Sequence, residues 1–250
     1  NIHIEKDGKV VSALQLISYP FSYYGKTVGC SYFSGCCTDP EYRSQGLMND
    51  LIIKALNQAK NNGACFAALI PASESLFNYY EGTNFISTFD YSKIRIKRQQ
   101  STGQQSTSGC QIISLQDYKN TRLQDESELD FYQVYDYFNS KMRSRNCCVQ
   151  HDEYDFGVIT EDLELFDNHL LVAKYGEDIC GLAFCYLRND EIFIKDVFAE
   201  STAIFTDLIT AAANIFENET INIIIPPVPG QKTHKLGMAR IIDAETMLRI

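Results

Sequence analysis

The stretch from Cys36 to Met48, Cys-Cys-Thr-Asp-Pro-Glu-Tyr-Arg-Ser-Gln-Gly-Leu-Met, constrains this chain more than any other. It reads as the end of a strand, a tight loop and the first turn of a helix. Pro40 has no N–H and cannot continue a ladder, so the chain turns there. Gly46 sits where the helix opens. The N–H groups of Gly46, Leu47, Met48 and the next residue have no carbonyl partner inside that helix. They point outward and carry the positive end of the helix dipole, which makes a ready site for phosphate. Arg43 adds a guanidinium, and the missing side chain at Gly46 lets an anion sit close to the backbone. Such a geometry suits the diphosphate of a nucleotide-like cofactor. The plainer readings are a solvated surface cation at Arg43 and a simple helix cap at Gly46.

The flanking pattern shows what holds this loop. Residues 2–6 alternate and meet Asp7-Gly8, a strong hairpin turn. Residues 9–18 resume as a strand, Pro20 and Gly25 mark a second turn, and residues 27–38 form a third strand that runs into the loop. Beyond it, Met48, Ile52, Ala55, Leu56 and Ala59 form the apolar stripe of a helix over 47–61. Gly63 is a good residue to follow its end. The short apolar run at 64–70 suits a strand buried on both faces and parallel to the one before the helix. A right-handed crossover results, and a ligand belongs where its two strands splay apart. A second helix over 73–82, with Ser73 as N-cap, carries Leu76, Phe77, Tyr79 and Tyr80. Tyr79 lies about 100° round that helix from Tyr80 and faces elsewhere.

At this point the residues resemble a known family. Pro40 to Gly46 is similar to the acetyl-CoA loop of the Gcn5-related N-acetyltransferases, Q/R-x-x-G-x-G/A. Arg43 and Gly46 match its first two fixed positions. Met48 departs from the third, where small residues are usual, a departure that also occurs in the enhanced-intracellular-survival branch, whose loop resembles R-x-x-G-L-L/M. Residues 76–85 resemble the family signature a-x-x-f-Y-e-k-x-G-F. Tyr80 falls on its tyrosine and Phe85 on its terminal aromatic. Asn84 replaces its glycine, and Asn also visits left-handed backbone. The resemblance covers residues 1 to about 98. It implies an acetyl-CoA-dependent N-acetyltransferase that moves an acetyl group to a primary amine by direct attack in a ternary complex, without a metal. It places Cys36, Thr38, Arg43, Ser44, Gln45, Gly46, Leu47 and Met48 at the cofactor. The hydroxyl of Tyr80 would protonate the departing sulfur. The implied acceptor is a small-molecule or lysine amine. Tyr80 as a plain core aromatic remains the alternative, and Glu41, Glu74 and Glu81 are candidate bases by location only.

The second half echoes the first. Residues 99–109 are polar and read as a linker. A strand near 110–115, a helix over 129–143, strands at 169–175, 179–187 and 191–198, a helix over 202–216 capped by Ser201 and a strand at 220–225 follow. No arginine or glycine lies between Phe198 and that last helix, and Glu200 would repel phosphate. The expected domains are 1–98 with the loop, 110–235 as a degenerate second copy, and 236–250 as a strand. In the survival-type branch a strand resembling 237–243 leads into a sterol-carrier-like domain, expected here to be absent or truncated. The family's usual elements before the first hairpin are also expected to be missing. The fold class is α+β (mixed α/β): tandem acyl-CoA N-acyltransferase folds, each with a mixed, mostly antiparallel central sheet flanked by helices.

Composition narrows the partners. A formal charge of −10 over 250 residues argues against nucleic acid. The sequence has no run of ~18 apolar residues and no secretory signal, which suggests a cytoplasmic protein without membrane partners. With only four histidines and no metal-ligand spacing, the nine cysteines, none in a CxxC, read as small buried hydrophobes of a reducing compartment. Fifteen Tyr and fifteen Phe without Trp leave room for a homo-oligomer interface. The competing functional reading is a non-catalytic binding or oligomer-assembly module.

Overall fold

Asp7 and Gly8, at φ 52° and 75°, make a two-residue turn whose twist suits a hairpin. They join β1 (Ile2–Lys6) to β2 (Lys9–Tyr23). The computed structural model describes residues 1–97, 107–116 and 129–249. Most of the linker expected at 99–109 lies outside them. The chain forms two units: Asn1–Asp90 with Arg145–Gln150 and Lys235–Ile250, and Tyr91–Ser144 with His151–His234.

In the first unit β2 pairs antiparallel with β3 (Lys26–Thr38). The turn expected at Pro20 does not form there. β2 runs on to Tyr23, and the chain turns at Tyr24 and Gly25, with φ 44° and 79°. Pro20 pairs with Gly29, and its carbonyl accepts the Gln150 N–H at 2.8 Å. A residue of an antiparallel strand turns its N–H and C=O to the same side. The missing N–H therefore faces away from β3, and no β2–β3 bond is lost. The short strand β7 (Cys148–Val149), not anticipated from the sequence, pairs with Phe21 and Ser22 on that side.

Between the pairs Gln15–Ser34 and Ala13–Cys37, β3 sets Gly35 and Cys36 against the single residue Leu14. Gly35 has φ 59°, so this is a glycine bulge, which bends the strand near its end. β3 continues through a loop into α1 (Leu47–Asn61) and returns as β4 (Phe66–Leu69), parallel to β3. The β3–β4 pairing stops at Tyr32 and Ala68, while β3 runs on to Thr38. β12 (Thr233–Ile241) pairs antiparallel with β4 on its other side. Leu51, Ile52, Ala55 and Ala59 of α1 are fully buried. α2 (Glu74–Glu81) adds Phe77 and Tyr80 to the same core as Leu14 and Phe33.

In the second unit the end of β5 (Ile86–Lys97) pairs antiparallel with β11 (Thr220–Ile225), which runs parallel to β10 (Glu191–Ala199). β9 (Asp178–Arg188), β8 (His169–Tyr175) and β6 (Gln111–Ser114) follow, all antiparallel. α5 (Thr202–Ile215) buries Ile204, Leu208 and Ala212 against Ala183 and Cys185. Phe184 alternates to the opposite face. There α3 (Phe131–Arg143) and α4 (Glu153–Leu165) bring Phe138 and Phe156 against it at ring-centroid distances of 5.7 and 6.5 Å. As in the first unit, the parallel pairing stops early, at Ile194 and Ile223, beside a bulge at Lys195. Each unit is thus a mixed, mostly antiparallel sheet flanked by helices.

Two glycines test the packing with opposite signs. A Cβ at Gly29 would lie 2.8 Å from the Gly63 carbonyl oxygen, where β3 meets the turn after α1. Gly29→Ala is expected to lower the unfolding free energy by about 1–3 kcal/mol, the usual cost of overpacking. Gly157 lies within α4, and its nearest neighbour would be 4.0 Å away. Gly157→Ala is expected to raise stability by about 0.5–1 kcal/mol through helix propensity. Denaturant midpoints check both.

Candidate functional site

The loop after β3 is built from short local bonds. The Asp39 side chain accepts the Glu41 N–H at 3.0 Å and caps a 3-10 turn over Pro40–Tyr42. Lys9 Nζ pairs with Asp39 at 2.6 Å. That ammonium first, and the Glu41 N–H second, hold the Asp39 carboxyl below its ordinary value. Arg43 Nε donates to the Thr38 carbonyl at 3.1 Å, which ties the guanidinium to the end of β3. Its Nη groups take no partner among the described residues. Ser44 at φ 61° and Gly46 at φ 79° then swing the chain into α1.

Intrahelical bonding begins with the Asp50 N–H on the Gly46 carbonyl at 3.1 Å. No side chain caps this end. The N–H groups of Leu47, Met48 and Asn49 therefore point out of the helix with no acceptor among the described residues. A Cβ at Gly46 would meet nothing within 4 Å, so the approach is open. Arg43, Ser44, Gln45 and Gly46 are exposed, whereas Leu47 and Met48 are half-buried, with Met48 against the core. Thr38 uses its hydroxyl on Ser12 at 2.9 Å. One contact was not visible in the sequence: Lys6 Nζ, from the end of β1, donates to Gln45 Oε1 at 2.9 Å and lies 5.4 Å from the centre of the Tyr42 ring.

Past Tyr32 and Ala68 the two parallel strands part, and a group of phenols surrounds the half-buried Cys36. Tyr80 is 7% exposed, edge-on to Phe85 and Tyr79 at 6.1 and 5.2 Å. Burial first, and the neighbouring Cys36 thiol second, push its phenol far above the ordinary tyrosine value. Burial likewise raises the Cys36 thiol and the phenols of Tyr32 and Tyr79. Tyr79 leaves Tyr80's side of the helix and donates to Asn49 Oδ1 at 2.7 Å, at the open end of α1. The end of α2 is fixed beneath Tyr80. The Tyr80 carbonyl accepts from Thr83 Oγ1 at 2.8 Å, Thr83 N–H at 2.9 Å and Phe85 N–H at 3.1 Å. Asn84 takes the left-handed backbone its place in the motif requires, at φ 62°. Glu41, Glu74 and Glu81 are all exposed.

The corresponding helix end in the second unit is closed by the protein itself. The Ser201 hydroxyl accepts the Ile204 N–H at 3.3 Å. Beside it the Glu200 carboxylate accepts from Tyr137 Oη at 3.1 Å and Lys141 Nζ at 2.5 Å. A carboxylate with its own counterion thus stands where the first unit offers bare amides and an exposed guanidinium.

Residues 1–85 match the family model of the acetyltransferase (GNAT) domain. No curated protein matches the chain by sequence. Among solved structures it is similar to a GCN5-related N-acetyltransferase from Kribbella flavida, with 18% identity, 97% of this chain and 59% of that one covered, and a TM-score of 0.67. Eis1 from Mycobacterium abscessus follows with 11% identity, 98% and 65% covered, and a TM-score of 0.66. A tandem GNAT protein from the clavulanic acid biosynthesis pathway aligns with 10% identity, 96% and 82% covered, and a TM-score of 0.54. At these identities the likeness is one of fold. The chain spans less than two thirds of the length of the first two.

The raised Tyr80 phenol has a direct readout. The tyrosinate absorbance lost in Tyr80→Phe is expected to be nil through pH 10, the ordinary value, and to appear only well above it. A difference that develops at or below pH 10 would place the hydroxyl in water.

Proposed function

We infer, from the acetyltransferase (GNAT) domain that residues 1–85 match, that the first unit transfers an acetyl group from acetyl-CoA to a primary amine by direct attack in a ternary complex. The observation that carries this reading is the uncapped amino end of α1 beside Arg43, at the mouth of a parting pair of parallel strands. The residues fit the cosubstrate. The diphosphate of CoA needs backbone donors, a guanidinium and an approach unobstructed by a side chain, and Leu47, Met48, Asn49, Arg43 and Gly46 offer these. Ser44 and Gln45 shape the loop around them. The bulged end of β3, from Cys36 to Thr38, presents backbone groups to the pantetheine and to the thioester oxygen as charge develops on it.

In the transfer itself the amine nitrogen forms the new C–N bond, and the C–S bond breaks with its electron pair going to sulfur. Tyr80, kept protonated by burial, gives its hydroxyl proton to that sulfur. The proton released by the amine restores the phenol. The acceptor is a small-molecule or lysine amine. The second unit is read as a copy that does not bind CoA, because Ser201 and Glu200 already occupy its helix end.

Arg43→Glu is expected to abolish CoA binding by titration calorimetry. Tyr80→Phe is expected to retain binding and lower kcat by about a hundredfold, the lower end of acid catalysis. An Arg43→Glu protein that binds CoA like wild type would remove the site. A Tyr80→Phe protein with full turnover would reduce Tyr80 to a core aromatic.

A further inference from the structure

Two lysines leave the first hairpin, and they end differently. Lys9 is taken by the Asp39 carboxylate at 2.6 Å. Lys6 is held by neutral groups, the Gln45 carboxamide at 2.9 Å and the Tyr42 ring at 5.4 Å. Among the described residues it has no carboxylate partner. Glu41 lies on the neighbouring turn and Asp50 in the first turn of α1, yet the ammonium is drawn to the loop instead. Arg43 is tethered in the same manner, through one neutral oxygen, the Thr38 carbonyl. Two cations thus flank Ser44–Gly46, each held by a neutral acceptor, beside three N–H groups with no acceptor among the described residues. The second unit supplies the contrast. Its Lys141 is neutralised by Glu200, and Ser201 closes the helix end.

We propose that Lys6 is a second cation of the phosphate site, meeting a phosphate of coenzyme A from the Gln45 side of the loop, and that it selects phosphate-bearing thioester donors over phosphate-free ones. This deepens the acetyltransferase reading and rests on it. The tether limits the side-chain freedom lost on binding. The tip stays close to water, so the gain is that of a screened charge-assisted bond.

The test compares acetyl-CoA with acetyl-pantetheine, which carries no phosphate. In Lys6→Met the preference for acetyl-CoA, as a ratio of kcat/KM values, is expected to fall about five- to tenfold, with KM carrying the loss, as for a partly exposed charge contact. Lys6→Arg should restore most of the preference, and the difference between wild type and Lys6→Met should shrink as salt is raised. Titration of CoA into each protein gives the same comparison without turnover. If the preference and the CoA affinity of Lys6→Met equal those of wild type while Arg43→Glu still abolishes binding, the role of Lys6 is overturned and the site stands. If wild type itself binds no CoA, both readings fall.

Discussion

The amino end of α1 has three backbone N–H groups with no acceptor among the described residues, and the architecture of the first unit keeps them that way. Helix ends are ordinarily closed by a serine, threonine or aspartate side chain. Here the capping residue is Gly46, in left-handed backbone at φ 79°, which has no side chain to offer. α2 is also left without a side-chain cap, its N-cap Ser73 making no capping hydrogen bond, but other helix ends are closed. Ser201 closes α5, and Asp152 with Asp155 forms a full capping box on α4. The open end of α1 thus differs from those of α4 and α5, and it faces open space, since a Cβ at Gly46 would meet nothing within 4 Å.

Position matters as much as openness. α1 is set against β3 by the close approach of Gly29 and Gly63 past its carboxyl end, by the fully buried Leu51, Ile52, Ala55 and Ala59, and by Arg43 bonding back to Thr38 ahead of its amino end. The glycine bulge at Gly35 bends the strand just where its parallel partner has stopped pairing. Tyr80 enters from α2, whose end is fastened by three donors on one carbonyl. Tyr79 on the same helix bonds Asn49, so the phenol group and the open helix end are linked through one short contact. The open helix end and the buried Tyr80 are consequently parts of one packed body.

Much of this was legible in the sequence because it is local. The hairpin turn at Asp7-Gly8, the stripe of α1, the glycine at 46 and the left-handed Asn84 each follow from a few adjacent residues. What escaped depends on distant partners or on patterns that cancel. Lys6 reaches Gln45 across 39 positions of sequence, and nothing around Lys6 marks it as part of a loop. Pro20 reads as a turn, yet β7 arrives from more than a hundred residues downstream to occupy the side where its missing N–H points. α4 buries Phe156, Thr160 and Leu163 but leaves Tyr154 and Leu165 almost wholly exposed. With apolar residues on both faces and a threonine inside, it has no one-sided period to read. The Tyr80–Cys36 neighbourhood likewise joins a helix to a strand bulge that no spacing rule predicts.

The central claim is that bare amides at the start of α1 receive the diphosphate. Backbone amide resonances followed through a titration with CoA address it most directly. The account predicts that the largest shifts fall on Gly46, Leu47, Met48 and Asn49, with the amides at the start of α5 unmoved. Saturable binding that leaves those four resonances in place, or moves the second unit's helix end instead, would contradict it.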